Sequence, residues 1–90
     1  MNFVFEFDEV KSAANNEKHG IDFAKAQNLW LDDDLVIFPA RALEGELRSG
    51  AVAKLNGKHW TAYFTMRGVN IRLISVRRSR KNEEEFYENQ

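Results

Sequence analysis

The sequence predicts an α+β fold in the order β-α-α-β-β-β-β-α, with an antiparallel sheet packed against helices. Three observations predict it. Residues 58–67 alternate apolar and polar side chains with a period of two. Asn56-Gly57 separates that run from the one before it, and this dipeptide suits a type I′ hairpin turn, which needs positive φ at both central residues. Two short segments with acidic N-caps and helical spacing precede the strands, and a third helical segment follows them.

Each element has its own signal. In residues 3–7, Phe3, Phe5 and Phe7 point one way and Val4 and Glu6 the other, as in a short strand. Asp8 caps a helix over Glu9–His19, with Val10, Ala13 and Ala14 on one face and Lys11, Asn15 and Lys18 in a polar stripe. Gly20 supplies the left-handed stop. Asp22 caps a second helix with a buried stripe of Phe23, Ala26 and Trp30; acids oppose a helix C-terminus, so Asp32-Asp33-Asp34 belongs in a turn. Leu35–Phe38 reads as a short buried strand closed by Pro39, and residues 40–46 as a polar loop containing Gly45. A meander follows. Residues 47–55 place Arg48, Gly50, Val52 and Lys54 on one face. Residues 58–67 place Trp60, Ala62, Phe64 and Met66 toward the core, and His59, Thr61, Tyr63, Thr65 and Arg67 away from it. Residues 70–78 mix parities, which suggests a strand covered on both faces for part of its length. Ser79 is the expected cap of a last helix reaching about Asn89, docked through Phe86 and Tyr87 or held by a negative group near its start.

Ninety residues suit one domain, residues 1–90, since domains run to roughly 100–200 residues. The longest apolar run is Leu35–Phe38, too short to span a membrane, and the first residues read as a strand rather than a secretory leader. The sequence holds no cysteine, which excludes disulfides, thiolate metal sites and cysteine nucleophiles and suits a cytoplasmic protein. Two distant histidines give no zinc pattern, no glycine-rich phosphate cradle follows a strand, and no cofactor or metal is expected. Charge is strongly segregated. Residues 1–46 carry −6, residues 47–81 carry +9 with no acid at all, and residues 82–90 carry −4. A cationic stretch of this kind attracts phosphates whatever the total charge, although part of it can pair with the acidic half of the chain.

The spaced motifs resemble those of the BrnT toxin family. Phe5-Glu6-Phe7-Asp8, Lys11, Asn15, Lys18-His19-Gly20, Phe23 and Ala26 resemble its opening. Gly45-Glu46, Arg48, Thr65, Arg67-Gly68 and Ile71-Arg72-Leu73-Ile74-Ser75-Val76-Arg77-Arg78, with Glu84 and Tyr87 behind, resemble its second half. Phe7 stands where the family usually has Trp, Ala53 where Gly is common, and Val76 where Ala is common. The resemblance implies a compact RelE-like ribonuclease fold and a toxin that cleaves RNA and slows translation. It also implies a cognate BrnA-like antitoxin protein with a DNA-binding domain, through which the complex reaches its operator and represses its own operon.

Metal-free RNA cleavage uses the ribose 2′-OH as nucleophile, so the protein must move protons and stabilise a phosphorane-like charge. Arginine suits the second task because its planar fork grips two phosphate oxygens and stays charged. Arg48, Arg67 and Arg77 lie on three strands of one meander and are the expected phosphate clamp; the opposing reading pairs one of them with Glu46 or a C-terminal glutamate. Lys11 is a candidate for proton transfer or phosphate contact, or a solvated helix lysine. Tyr87 either stacks on a base or anchors the last helix. His19 titrates near neutrality, yet its place in a helix C-terminal turn also suits a structural role. His59 reads as a surface residue beside a turn. Lys54, Tyr63, Arg72, Arg78, Arg80 and Lys81 are the expected RNA contacts. A catalytically inactive module that binds RNA or an antitoxin is the alternative reading.

Overall fold

Asn56 and Gly57 adopt φ of 54° and 78°, the paired positive angles of a type I′ turn. They join β3 (Glu46–Leu55) to β4 (Lys58–Arg67), which pair antiparallel. The computed structural model describes residues 3–43 and 46–90, and its α+β order is β1 (Phe5–Glu6), α1 (Glu9–His19), α2 (Phe23–Ala26), a 3₁₀ turn (Gln27–Leu31), β2 (Val36–Leu43), β3, β4, β5 (Asn70–Arg78) and α3 (Lys81–Glu88). The strands form one sheet in the order β1-β5-β4-β3-β2. Four of them make the antiparallel meander, but β1 runs parallel to β5, so the sheet is mixed. Among the described residues no helix is long and apolar enough to cross a membrane.

One face of the sheet carries the main core. Ile21, Phe23, Ala26, Leu29 and Trp30 pack there on Ala51, Ala53, Trp60, Ala62, Phe64, Leu73 and Val76. Helix α3 lies over the other face, where Val52 and Thr61 are fully buried and Tyr87 is 6% exposed.

Several expectations change. β1 pairs only over Phe5–Glu6. The buried face of α1 is polar: Ser12 and Asn15 are buried, while Val10 is 78% exposed. The reason is the edge of β5. Its pairing with β1 covers only Ile71 and Arg72, and farther along the strand the Asn15 amide takes the place of a neighbouring strand. Its Nδ2 donates to the Val76 carbonyl at 2.9 Å and the Ile21 carbonyl at 2.8 Å, and its Oδ1 accepts from the Val76 N–H at 3.1 Å. Ser12 Oγ accepts from the Phe23 N–H at 2.9 Å. The expected polar stripe is therefore split, with Asn15 inward and Lys11 and Lys18 outward.

β2 continues through Pro39 instead of ending there, and Ile37 is 56% exposed rather than buried. It is the sheet's last strand, where proline is tolerated because one side of the backbone carries no ladder. The expected loop is correspondingly shorter, and Gly45 lies outside the described residues. Mixed parity in β5 has a local cause. The β4–β5 register shifts between Tyr63↔Ser75 and Phe64↔Leu73, so Ile74 is an extra residue and the alternation restarts. Ile71, Leu73 and Val76 thereby face the same core. Met66, assigned to the core by its parity, is 52% exposed. The last helix is capped at Arg80 rather than Ser79, which places Glu83 and Glu84 in its first turn, where acids suit the dipole.

Candidate nucleic-acid interface

The strand registers fix which side chains share the face beneath α3. Two residues along a strand advance about 6–7 Å, and successive rows can be read across the ladder. Val52, Thr61 and Arg77 form one row, and Phe38, Gly50, Tyr63 and Ser75 the next. Then come Arg48, opposite Ala40, and Arg72, opposite Thr65, while Arg67 faces Asn70 at the hairpin end. Arg48, Arg67, Arg72 and Arg77 therefore lie on one side of the sheet. They form a band along it, and Arg77 is about 13 Å of strand away from the Thr65–Arg72 row.

The guanidiniums differ in what holds them. Arg77 makes a two-pronged pair with Glu83, both bonds 2.8 Å, and donates to Tyr63 Oη at 2.8 Å. Its guanidinium carbon lies 5.4 Å from the Tyr63 ring centroid. Glu83 also accepts from Thr61 Oγ1 at 3.0 Å and from the Arg80 N–H at 2.7 Å, which ties the start of α3 to the sheet. Burial pushes the Glu83 carboxyl up, but the bonds from Arg77, Arg80 and Thr61 outweigh it and bring it to about 2. The hydrogen bond to Glu83 likewise raises Arg77, against the opposing effect of burial. The opposing reading, in which one arginine of the clamp pairs with a C-terminal glutamate, does not say which arginine or which glutamate; the structure joins Arg77 to Glu83.

Arg67 reaches Glu46 at 3.2 Å and Arg72 reaches Glu6 at 3.2 Å. Asn70 also donates to Glu6, and with Arg72 it holds that carboxyl below its ordinary range. The Arg67 side chain is 53% exposed, so its pair is screened by water and contributes little, leaving a phosphate free to replace the glutamate. Arg48 stands apart. Among the described residues it has no ion pair, and its buried Nε has no hydrogen-bond partner. A buried donor left unmade is costly and calls for an acceptor.

The other expected residues separate. Lys11 and His19 belong to α1, which meets the sheet at the β5 edge, and Lys11 is exposed. Tyr87 is buried with its hydroxyl donating to Asp32 at 2.7 Å, and burial followed by Asp32 raises the phenol well above its ordinary value. Its geometry is that of the anchor. Asp32 also accepts from the Lys54 and Asp34 backbone N–H groups at 2.8 and 2.9 Å, so the acidic turn joins β3 to α3. His59 is less exposed than expected for a surface residue: its side chain is 16% exposed, with Nε2 2.7 Å from Glu88 and its ring edge-on to Tyr87. Lys54 reaches the same Glu88 at 3.3 Å. Arg78 lies over Trp60 and donates to the His59 carbonyl, outside the arginine band. Arg80 and Lys81 are exposed at the start of α3, and neither side chain makes an ion pair among the described residues.

Phe38, Phe86, Gly50 and Glu83 belong to this face, yet nothing singled them out as site residues from sequence. The Phe38 ring seats over Gly50, where a Cβ would lie 2.2 Å from its Cζ. It packs edge-on against both Tyr63 and Phe86, with centroids 6.2 Å apart in each pair. From sequence Phe38 is only the end of a short buried strand, because its partners Tyr63 and Phe86 lie on other elements, and no local pattern joins Arg77 to a particular glutamate on the following helix.

Residues 7–83 match the family described as the ribonuclease toxin, BrnT, of type II toxin-antitoxin systems. No curated protein matches the chain.

Proposed function

The chain belongs to the BrnT family of ribonuclease toxins of type II toxin-antitoxin systems, and we propose that it is a cytoplasmic endoribonuclease of RelE-like fold that cuts RNA without a metal ion and slows translation. The observation that carries this reading is the arginine band on one sheet face, in which Arg48 has no ion pair among the described residues and Arg67 is only loosely paired. In the proposed reaction the ribose 2′-OH attacks the adjacent phosphorus, its proton leaves to a base, and the 5′-oxygen departs with a proton from an acid. A 2′,3′-cyclic phosphate and a 5′-hydroxyl end result. Arg48 and Arg67 hold the phosphate oxygens as charge develops on them. Arg77 shapes the site through Glu83 and Tyr63, and a cognate BrnA-like antitoxin neutralises the toxin by covering the basic surface.

The test is incubation of purified protein with RNA, with and without EDTA. Cleavage that resists EDTA, leaves 2′,3′-cyclic phosphate ends and disappears in Arg67→Ala supports the reading. Intact RNA at high enzyme, or 5′-phosphate products, rejects it. The second reading, an inactive module that binds RNA or an antitoxin, is favoured by the pairing of Arg67, Arg72 and Arg77 with glutamates. Growth arrest on expression separates the two, since a pure binder is tolerated.

A further inference from the structure

We propose that the cleft between β2 and the first turns of α3 is a nucleobase subsite, which seats one unpaired RNA base against the Phe38–Phe86 pair. This rests on the ribonuclease reading above and deepens it. The cleft has a volume of ≈ 280 Å³ and is lined by Phe38, Asn82, Glu83 and Phe86. The two rings meet at 86°, and Phe86 is 49% exposed. In an edge-to-face pair the ring that offers its edge keeps both of its own faces uncovered by the other ring. A base stacks on such a face whatever its identity.

The seat is built into the sheet. Gly50 leaves the space into which Phe38 leans, and any Cβ there would meet its ring. Tyr63, on β4 beyond Gly50, supports Phe38 while its hydroxyl holds Arg77. Asn82 offers both a donor and an acceptor, which suits the Watson–Crick edge of a splayed base. The oxygens of Glu83 are already taken by Arg77, Thr61 and Arg80, so it serves as a wall.

Charge selects a nucleotide over an apolar side chain. Arg48 lies two residues along β3 from Gly50, and Arg77 lies two residues along β5 from Ser75 in the Phe38 row. The aromatic row is thus followed along β3 by a guanidinium at a step of about 7 Å, roughly the length of one nucleotide, while Arg77 on the other side is held by Glu83. Arg48 Nε has no hydrogen-bond partner among the described residues and adds a donor at that step along β3.

The experiment titrates the full chain with AMP, GMP, CMP and UMP by NMR. It also measures affinity for a 2′-O-methyl oligoribonucleotide, which lacks the nucleophile and cannot be cut. Expected are shifts centred on the Phe38 and Phe86 rings and about a tenfold loss of oligonucleotide affinity in Phe86→Ala, with Val10→Ala on the far helix unchanged. Wild-type affinity in Phe86→Ala, or shifts centred elsewhere, overturns the subsite. A loss in Phe86→Ala confined to the antitoxin complex also overturns it and assigns the cleft to the protein partner. Wild-type chain that cuts RNA while Phe86→Ala binds normally removes the subsite alone. Wild-type chain that binds through Phe86 but never cuts removes only the nuclease reading, and absence of any RNA binding removes both.

Discussion

Gly50 shows how one missing side chain shapes the basic face. Its Cα lies under the Phe38 ring, and a methyl group at that position would force the ring away from Tyr63 and Phe86. Gly50→Ala is expected to cost about 1–3 kcal/mol in urea denaturation. Combined with Phe38→Ala it should cost less than the sum of the two, because the clash is gone; strict additivity would place the Phe38 ring elsewhere. Glu83 makes a second prediction. Its carboxyl titrates at about 2 in the folded chain against an ordinary 4.5, so the unfolded chain takes up the proton first. The stability it contributes is whole above pH 4.5 and is lost as the pH falls toward 2, an effect of roughly 2–3 kcal/mol. The acid limb of the stability curve should be shallower in Glu83→Gln than in wild type over that window. Parallel acid limbs would mean that the Arg77 pair does not form in solution.

At the scale of elements, α1 is held by polar rather than apolar contacts. Removing the Asn15 side chain strands the Val76 N–H and carbonyl and the Ile21 carbonyl inside the protein. Asn15→Ala is expected to lower stability by about 2–4 kcal/mol, while Val10→Ser on the same helix stays within about 0.5 kcal/mol. Equal melting temperatures for the two variants would reverse the assignment of the helix's inner face. Helix α3 is fastened by Glu83 at its start and by Tyr87 and Glu88 near its end. Tyr87→Phe keeps the ring and removes the bond to Asp32, and should cost about 1–2 kcal/mol. A larger loss in RNA cleavage than this destabilisation explains would give the hydroxyl a part in the chemistry.

Across the whole molecule, the arginine band divides into Arg77, which holds the fold through Glu83, and Arg48 and Arg67, which the proposed function assigns to RNA. Arg67→Ala is expected to leave the melting temperature nearly unchanged and to lower RNA affinity, because its only partner among the described residues is the exposed Glu46. Arg77→Ala leaves Glu83 without its partner and should lower the melting temperature by several degrees, whatever it does to activity. Loss of activity in Arg77→Ala is therefore ambiguous, and Arg67 is the residue that tests the chemistry. The α+β class, the N-caps of the first two helices, the Asn56-Gly57 turn and the alternation within each of the two strands it joins were legible in the sequence, whereas the register that sets Arg48 and Arg67 on one face was not. They depend on period, capping chemistry and turn chemistry, each set within a few residues. The inward turn of Asn15, the bulge at Ile74, the passage of β2 through Pro39 and the capture of Arg77 by Glu83 were decided by tertiary structure alone. Each answers a backbone edge or a buried charge supplied by a distant or separately folded segment, and local sequence carries no record of which donor or acceptor that segment leaves open.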